Sequence, residues 1–292
     1  MNRLVRRELD AANLDAHDVA RLVAIALDED LRYGPDITSE ATIAADAVAT
    51  GDVVARAPGV LCGVPVALAV FDALAVPLEG VEIFARDGEV IAASTTIFSV
   101  TGPLRQLLVA ERTLLNFMTH LSGVATATRA WCDALEGTNT KVRDTRKTTP
   151  GFRQLEKYAV RCGGGVNHRM GLGDGALIKD NHLAAVGGLS ETLKAVRAVS
   201  DLEVEVECDT LDQVREAVAA GCTLILLDNM TIEELTVAVT IARSASGVRL
   251  EASGGMTLEM AREVAATGVD FIAVGSLTHS SPGVDIALDL RP

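Results

Sequence analysis

Six short apolar runs in the second half of the chain, separated by helix-like segments, constrain the fold more than any other feature. Lys141 to Asp144, Ala176 to Lys179, Val204 to Glu207, Leu224 to Asp228, Leu250 to Ser253 and Phe271 to Gly275 each have the length of a strand. Strands that alternate with helices form parallel βα units, because a parallel connection has to cross the sheet before the next strand begins. Every run finishes in a polar, charged or glycine residue. Any one such residue could merely end a strand, but a succession of them collects on one face of a parallel array, where barrels carry their chemistry. Thr210 with Gln213 and Thr231 with Glu234 have capping-box spacing ahead of apolar periodic stretches, which predicts helices at both places.

The first half reads differently. Asp15 is the expected N-cap of a helix to about Asp30, stopped by Tyr33-Gly34-Pro35-Asp36. Val53 to Ala57, Val81 to Arg86 and Val90 to Val100 read as strands, the last two joined as a hairpin through Asp87-Gly88-Glu89. This pattern predicts a small α+β domain. From Leu104 to Leu135 the periodicity is helical, with Ser122-Gly123 as the expected break. The domain boundary is placed within that stretch, giving residues 1–115 and 116–292, with the last residues free to return to the first domain.

Composition narrows the function classes. With 49% hydrophobic but only 3% aromatic residues, the core has to be built from Ala, Val, Leu and Ile, as buried parallel strands and their covering helices are. A net charge of −14 argues against nucleic acid or an anionic membrane surface as partner. Gly59 to Val76 has the length of a membrane span, but Pro65 and Asp72 make it a poor one. Leu14 to Leu27 carries Asp15, Asp18 and Arg21, unlike the apolar core of a secretory leader. Cys62, Cys132, Cys162, Cys208 and Cys222 form no CxxC pair and read as reduced thiols, so a cytoplasmic location is expected.

Within this acidic chain lies a basic island. Between Lys141 and Lys179 there are nine Lys and Arg residues against three acidic ones. Arg153, Lys157 and Arg161, at i, i+4 and i+8, have the spacing of a solvated helix face. Arg146, Lys147, Arg169 and Lys179 lack that spacing and sit at strand ends or in glycine-rich loops. Arginine offers a planar fork to a carboxylate and lysine a mobile point charge for phosphate, so a small ligand bearing several carboxylates or phosphates is implied.

Gly163-Gly164-Gly165 and Gly171-Leu172-Gly173-Asp174-Gly175 flank Val166-Asn167-His168-Arg169, which lets that loop bring backbone close to a ligand. Ser253-Gly254-Gly255 and Val274-Gly275-Ser276 follow neighbouring strands, and such loops commonly hold a phosphate with backbone N–H groups; ordinary turns are the alternative. Glu207 and Asp228 end adjacent strands. Their hard oxygens suit Mg2+, which takes one or two carboxylates and fills its shell with water and substrate phosphates; an ion pair with Lys179 is the competing reading.

These residues fall within Asp144-Thr145-Arg146-Lys147-Thr148-Thr149-Pro150-Gly151 and GGGVNHRMGLGDGALIKDNH from Gly163 to His182. Together with Glu111-Arg112-Thr113-Leu114-Leu115-Asn116, VEVECDT, LILLDNM, EASGG and VGSLTHS, they make a chain that closely resembles the quinolinate phosphoribosyltransferase family over nearly its whole length. The resemblance implies an N-terminal α/β sandwich domain that caps an incomplete α/β barrel of a neighbouring subunit, hence at least a homodimer with shared active sites. It assigns Arg146, Lys147, His168 and Arg169 to a quinolinate pocket, with Arg112 contributed by the partner chain, and counts Thr148 among the substrate-binding residues. Lys179, Glu207 and Asp228 fall to 5-phosphoribosyl 1-pyrophosphate and its Mg2+, with Glu207 and Asp228 as metal ligands. The 5′-phosphate loops fall to Ser253, Gly254, Gly255, Val274, Gly275 and Ser276, with His279 nearby.

The activity so implied is phosphoribosyl transfer to quinolinate with decarboxylation, giving nicotinate mononucleotide, with Lys147, Lys179, Glu207 and Asp228 as the catalytic set. Fold alone does not fix that substrate, since a relative involved in molybdenum transport shares much of the barrel pattern. Two other readings stay open: a barrel lyase or aldolase with Lys179 as Schiff-base nucleophile, and a non-catalytic anion-binding or transport-associated homologue.

Overall fold

The computed structural model describes residues 1–291 and divides the chain into two compact units. The first comprises Met1–Arg129, Thr149–Gly164 and the segment from Ser280 onward; the second comprises Ala130–Thr148 and Gly165–His279. The chain thus leaves the first unit, returns to it for one helix and returns again at its C-terminus.

In the first unit, α1 (Arg3–Ala11), α2 (Ala16–Leu31) and α3 (Ile37–Thr42) precede β1 (Val48–Ala55), β2 (Gly59–Val60) and α4 (Val64–Ala73). Then come β3 (Glu82–Ile83), β4 (Val90–Ile91), β5 (Thr96–Pro103), the long α5 (Leu104–Ala134) and, after an excursion, α6 (Arg153–Cys162). Asp15 caps α2 as its position predicts, its carboxylate accepting from the Asp18 N–H at 2.8 Å. Val19, Leu22, Val23 and Leu27 bury one stripe of that helix, the spacing that a single apolar face requires. The sheet is antiparallel, with β1 between β5 and the C-terminal strand Ile286–Leu290, and β3 beyond β5.

The apolar run from Gly59 to Val76 divides into β2 and the helix α4, in which Val64 to Phe71 are all buried. Phe71 meets Phe98 of β5 edge-on, ring centroids 6.2 Å apart. Burying such side chains contributes about 1.5–3 kcal/mol each, which makes α4 a main source of this unit's cohesion. Among the described residues no helix is long and apolar enough to cross a membrane.

Two local expectations give way. The two expected segments do pair antiparallel, Glu82 and Ile83 of β3 facing Ser99 and Phe98 of β5, but not across a tight turn at Asp87-Gly88-Glu89, because the second segment divides and its first part, β4, pairs with β2. Asp87 is turned inward instead, accepting from the Gly63 and Val64 N–H groups at the start of α4 and from the Tyr158 hydroxyl. A carboxylate that satisfies a helix N-terminus fixes the turn to α4, which a hairpin would not allow. Helix α5, in turn, runs through Ser122-Gly123 unbroken. A Cβ at Gly123 would lie 2.3 Å from the Pro282 carbonyl oxygen, so this glycine admits a crossing chain and leaves the helix intact. The compact units part after Arg129, within α5.

The second unit consists of βα repeats: β6 (Lys141–Arg143), β7 (Ala176–Ile178), α7 (Asp180–Val186), α8 (Leu189–Val199), β8 (Val204–Cys208) and α9 (Leu211–Ala219). It continues with β9 (Leu224–Asp228), α10 (Ile232–Ala242), β10 (Arg249–Ser253), α11 (Ala261–Ala266), β11 (Phe271–Ala273) and α12 (Ser276–His279). All the strands that the pattern predicts are present, in one parallel sheet ordered β6-β11-β10-β9-β8-β7. No ladder joins β6 to β7 among the described residues, so the barrel is incomplete. Thr210 with Gln213 and Thr231 with Glu234 form reciprocal capping boxes on α9 and α10.

Candidate active site

The parallel strands deliver their C-terminal residues to one end of the sheet, around a cavity of about 400 Å³. Its lining includes Arg146, Lys147, His168, Arg169, Lys179, Glu207, Asp228 and Ser253, eight of the residues singled out above. Thr145, Leu177, Leu226, Glu251 and Ala273 complete it.

The loop after β6 carries the first cations. Thr145 Oγ1 accepts from the Lys147 N–H at 3.0 Å, and the Thr278 hydroxyl of α12 donates to the Lys147 carbonyl at 2.8 Å, which fixes this turn. The glycine-flanked loop carries the next pair. Buried Asp144 accepts from the His168 N–H at 2.8 Å and from the Asn167 side chain, and so ties that loop to the end of β6. Arg169 donates through Nη1 to the Gly175 carbonyl at 2.8 Å, while its Nε is buried with no hydrogen-bond partner. Burial and the neighbouring Arg146 guanidinium both lower the proton affinity of Arg169 from its ordinary value. Two cations held this close favour a ligand with two anionic groups.

On the other side of the cavity Lys179 Nζ donates to Glu207 Oε2, and Asn229 Nδ2 donates to Asp228 Oδ2 at 2.7 Å. The ion pair raised above as the competing reading for Glu207 is therefore formed. It leaves both carboxylates in the cavity lining, a sparse set of hard oxygens that fits Mg2+, an ion that keeps several waters. Asn229 adopts φ 54° and donates its N–H to the Ser253 carbonyl at 2.9 Å, which ties the end of β9 to that of β10. Gly254, at φ +94°, passes so near that a Cβ there would lie 2.2 Å from Asn229 Oδ1.

The other expected residues lie outside this lining. Gly275 is close by, since a Cβ there would meet Lys147 Cδ at 3.1 Å and His279 Nε2 at 3.4 Å. Thr148, Gly254, Gly255, Val274 and Ser276 flank the lining residues in sequence without entering it, and Arg112 is exposed on α5 in the first unit. Of Arg153, Lys157 and Arg161, read above as a solvated face, Lys157 is fully buried with Glu156. Three charged residues were not singled out as site candidates: Arg143, Glu205 and Glu251 lie two positions before Thr145, Glu207 and Ser253. Period-two alternation was the available signal, since residues i and i+2 of a strand share a face.

Fold and site together define a class: an open parallel α/β barrel that gathers cations and a carboxylate pair at its mouth. The comparisons with known proteins make the assignment particular. The quinolinate phosphoribosyl transferase C-terminal domain matches residues 124–289, and the N-terminal domain of the same family matches residues 36–122. The chain belongs to the quinolinate phosphoribosyltransferase family. It is 52% identical to the nicotinate-nucleotide pyrophosphorylase [carboxylating] of Mycobacterium leprae, over 94% of this chain and 98% of that protein. A probable nicotinate-nucleotide pyrophosphorylase of Bacillus subtilis is 40% identical over 90% of each chain. Among solved structures, the nicotinate-nucleotide pyrophosphorylase of Francisella tularensis superposes with a TM-score of 0.89 at 40% identity, over 95% of this chain and 98% of that one.

Proposed function

We propose that this protein transfers the phosphoribosyl group of 5-phosphoribosyl 1-pyrophosphate to quinolinate with loss of CO2, yielding nicotinate mononucleotide and pyrophosphate for de novo NAD synthesis. The observation that carries the reading is the convergence of Arg146, Lys147, Arg169 and Lys179 with Glu207 and Asp228 on one cavity, in a chain of this family.

Arg146 and Arg169 hold the two ring carboxylates and point the pyridine nitrogen at C1 of the ribose. That nitrogen forms the new bond to C1 as the C1–oxygen bond to pyrophosphate breaks. Lys179 and Lys147 offset the negative charge that gathers on the leaving group, and the carboxylates of Glu207 and Asp228 favour the cationic sugar. Mg2+, held by Glu207 and Asp228, would supply further charge neutralisation at the diphosphate. The alkylated ring is a pyridinium, which accepts the electron pair of the departing 2-carboxylate at C2, where a proton then adds. No organic cofactor is required. A ligand with one carboxylate leaves a buried guanidinium unpaired, so nicotinate is rejected.

The working unit of this reading is a homodimer or larger assembly in which Arg112 of one chain completes the site of another. Five free thiols support a reducing, cytoplasmic setting. The Schiff-base alternative needs an amine with a free lone pair, whereas Lys179 is engaged as an ammonium with Glu207. Incubation with quinolinate, phosphoribosyl pyrophosphate and Mg2+ is expected to release CO2 and pyridine mononucleotide together. Omission of each component should abolish both products; product formation without quinolinate, or none with all three, would refute the assignment.

A further inference from the structure

The segment from Arg169 to Gly175 leads from the His168 loop to the start of β7, and Gly171, Gly173 and Gly175 fall within it. It lies outside the helices and strands and bends continuously from Met170 to Gly175. Glycine loses more conformational freedom on folding than any other residue, so such a turn needs specific contacts to hold one shape. Packing does not supply them: Leu172, at the tip, is exposed, and a Cβ on Gly173 would meet nothing within 4 Å.

Two side chains supply them instead, each gripping the backbone at the opposite end of the turn. Asp174 Oδ2 accepts from the Met170 N–H at 2.5 Å, and Asp174 Oδ1 accepts from the Gly171 N–H at 2.7 Å. Arg169 reaches the other way and donates through Nη1 to the Gly175 carbonyl at 2.8 Å. The braces depend on each other, because that carbonyl belongs to the residue next to the one that closes the turn. Desolvation works against the Asp174 charge, but the Met170 and Gly171 N–H groups and the Arg169 cation outweigh it and hold the carboxyl below its ordinary value. A carboxylate paired directly with the guanidinium would compete with a ligand for the same fork. Asp174 spends its oxygens on backbone N–H groups and leaves that fork open.

We propose that Asp174 is a positioning residue for the quinolinate pocket: by closing the glycine-rich turn it holds the Gly175 carbonyl that orients Arg169. The inference rests on the function proposed above. Asp174 lies outside the cavity lining and acts on the ligand only through Arg169. Asp174→Asn keeps the shape of the side chain but turns one acceptor into a donor that faces an N–H, so the turn opens and the guanidinium loses its anchor. KM for quinolinate should rise roughly tenfold, the order of one charge-assisted hydrogen bond, while KM for phosphoribosyl pyrophosphate and Tm stay near the wild-type values. A purely structural role would move both KM values together, and that result overturns the proposal.

In an Arg169→Lys background the same change should cost nothing further, since the guanidinium it positions is gone; additive losses in the double variant overturn the proposal. A readout without substrate separates this inference from the proposed function. In the ligand-free protein the Arg169 Nε–H, buried with no hydrogen-bond partner, should give a side-chain NMR signal protected from solvent exchange and identified by its loss in Arg169→Lys. Asp174→Asn should speed that exchange several-fold, and an unchanged rate overturns the proposal. A wild-type protein that binds no quinolinate would refute the proposed function instead, and the exchange rate would still decide whether Asp174 positions Arg169.

Discussion

At the scale of single residues, Arg169 shows how the site spends a guanidinium. One nitrogen is anchored on the Gly175 carbonyl and Nε is buried unpaired, so the remaining donors are oriented before any ligand arrives. Lysine keeps the charge but presents a flexible point donor with no fork. Arg169→Lys is expected to lower kcat/KM for quinolinate by roughly 10- to 100-fold, the equivalent of one lost charge-assisted bidentate contact at about 1.5–3 kcal/mol. Steady-state kinetics at fixed phosphoribosyl pyrophosphate reads this directly, and near-normal turnover would remove Arg169 from the pocket. The strand-end residues Lys179, Glu207, Asp228 and Ser253 were legible in the sequence because a polar residue closing an apolar run is conspicuous. Glu205 and Glu251 were not, although each sits two positions before a residue that was. A charge inside a strand conflicts with burial, and the groups that face Glu251, Arg143 from β6 and His168 from the glycine-flanked loop, are brought close only by the fold.

At the scale of elements, periodicity and capping chemistry are local, and they located the parallel strands and both capping boxes. What depends on a distant partner was not visible. Gly123 reads as a helix break until the chain at Pro282-Gly283 is seen crossing it, and Asp87-Gly88 reads as a hairpin turn until Asp87 is found on the first N–H groups of α4. The first case decides between two opposed magnitudes. Gly123→Ala gains about 1 kcal/mol of helix propensity, but its methyl would sit 2.3 Å from a carbonyl oxygen, an overlap the backbone has to relieve. Overpacking of this kind costs roughly 1–3 kcal/mol, and contact with backbone favours the upper end. Net destabilisation by roughly 1–2 kcal/mol is expected in denaturant melts. A variant more stable than wild type would restore the reading of Gly123 as a flexible break.

At the scale of the whole molecule, the cavity and Arg112 belong to different compact units: the cavity lining comes entirely from the second, while Arg112 is exposed on α5 of the first. If Arg112 of one chain completes the site of another, damage to Arg112 and damage to Lys147 fall on different sites when two variant chains associate. Arg112→Ala and Lys147→Ala homo-oligomers should each be nearly inactive, since every site carries the lesion. In a mixed dimer one site carries both changes and the other carries neither. Random re-association of equal amounts yields about half mixed dimers, each with one intact site, so roughly a quarter of wild-type activity should return. Recovery of that size, with mixed species verified by mass, requires a site built from two chains. Verified mixed dimers without recovery would place Arg112 in its own chain's site or in none, and the cations of the second unit would then have to hold both carboxylates of quinolinate unaided.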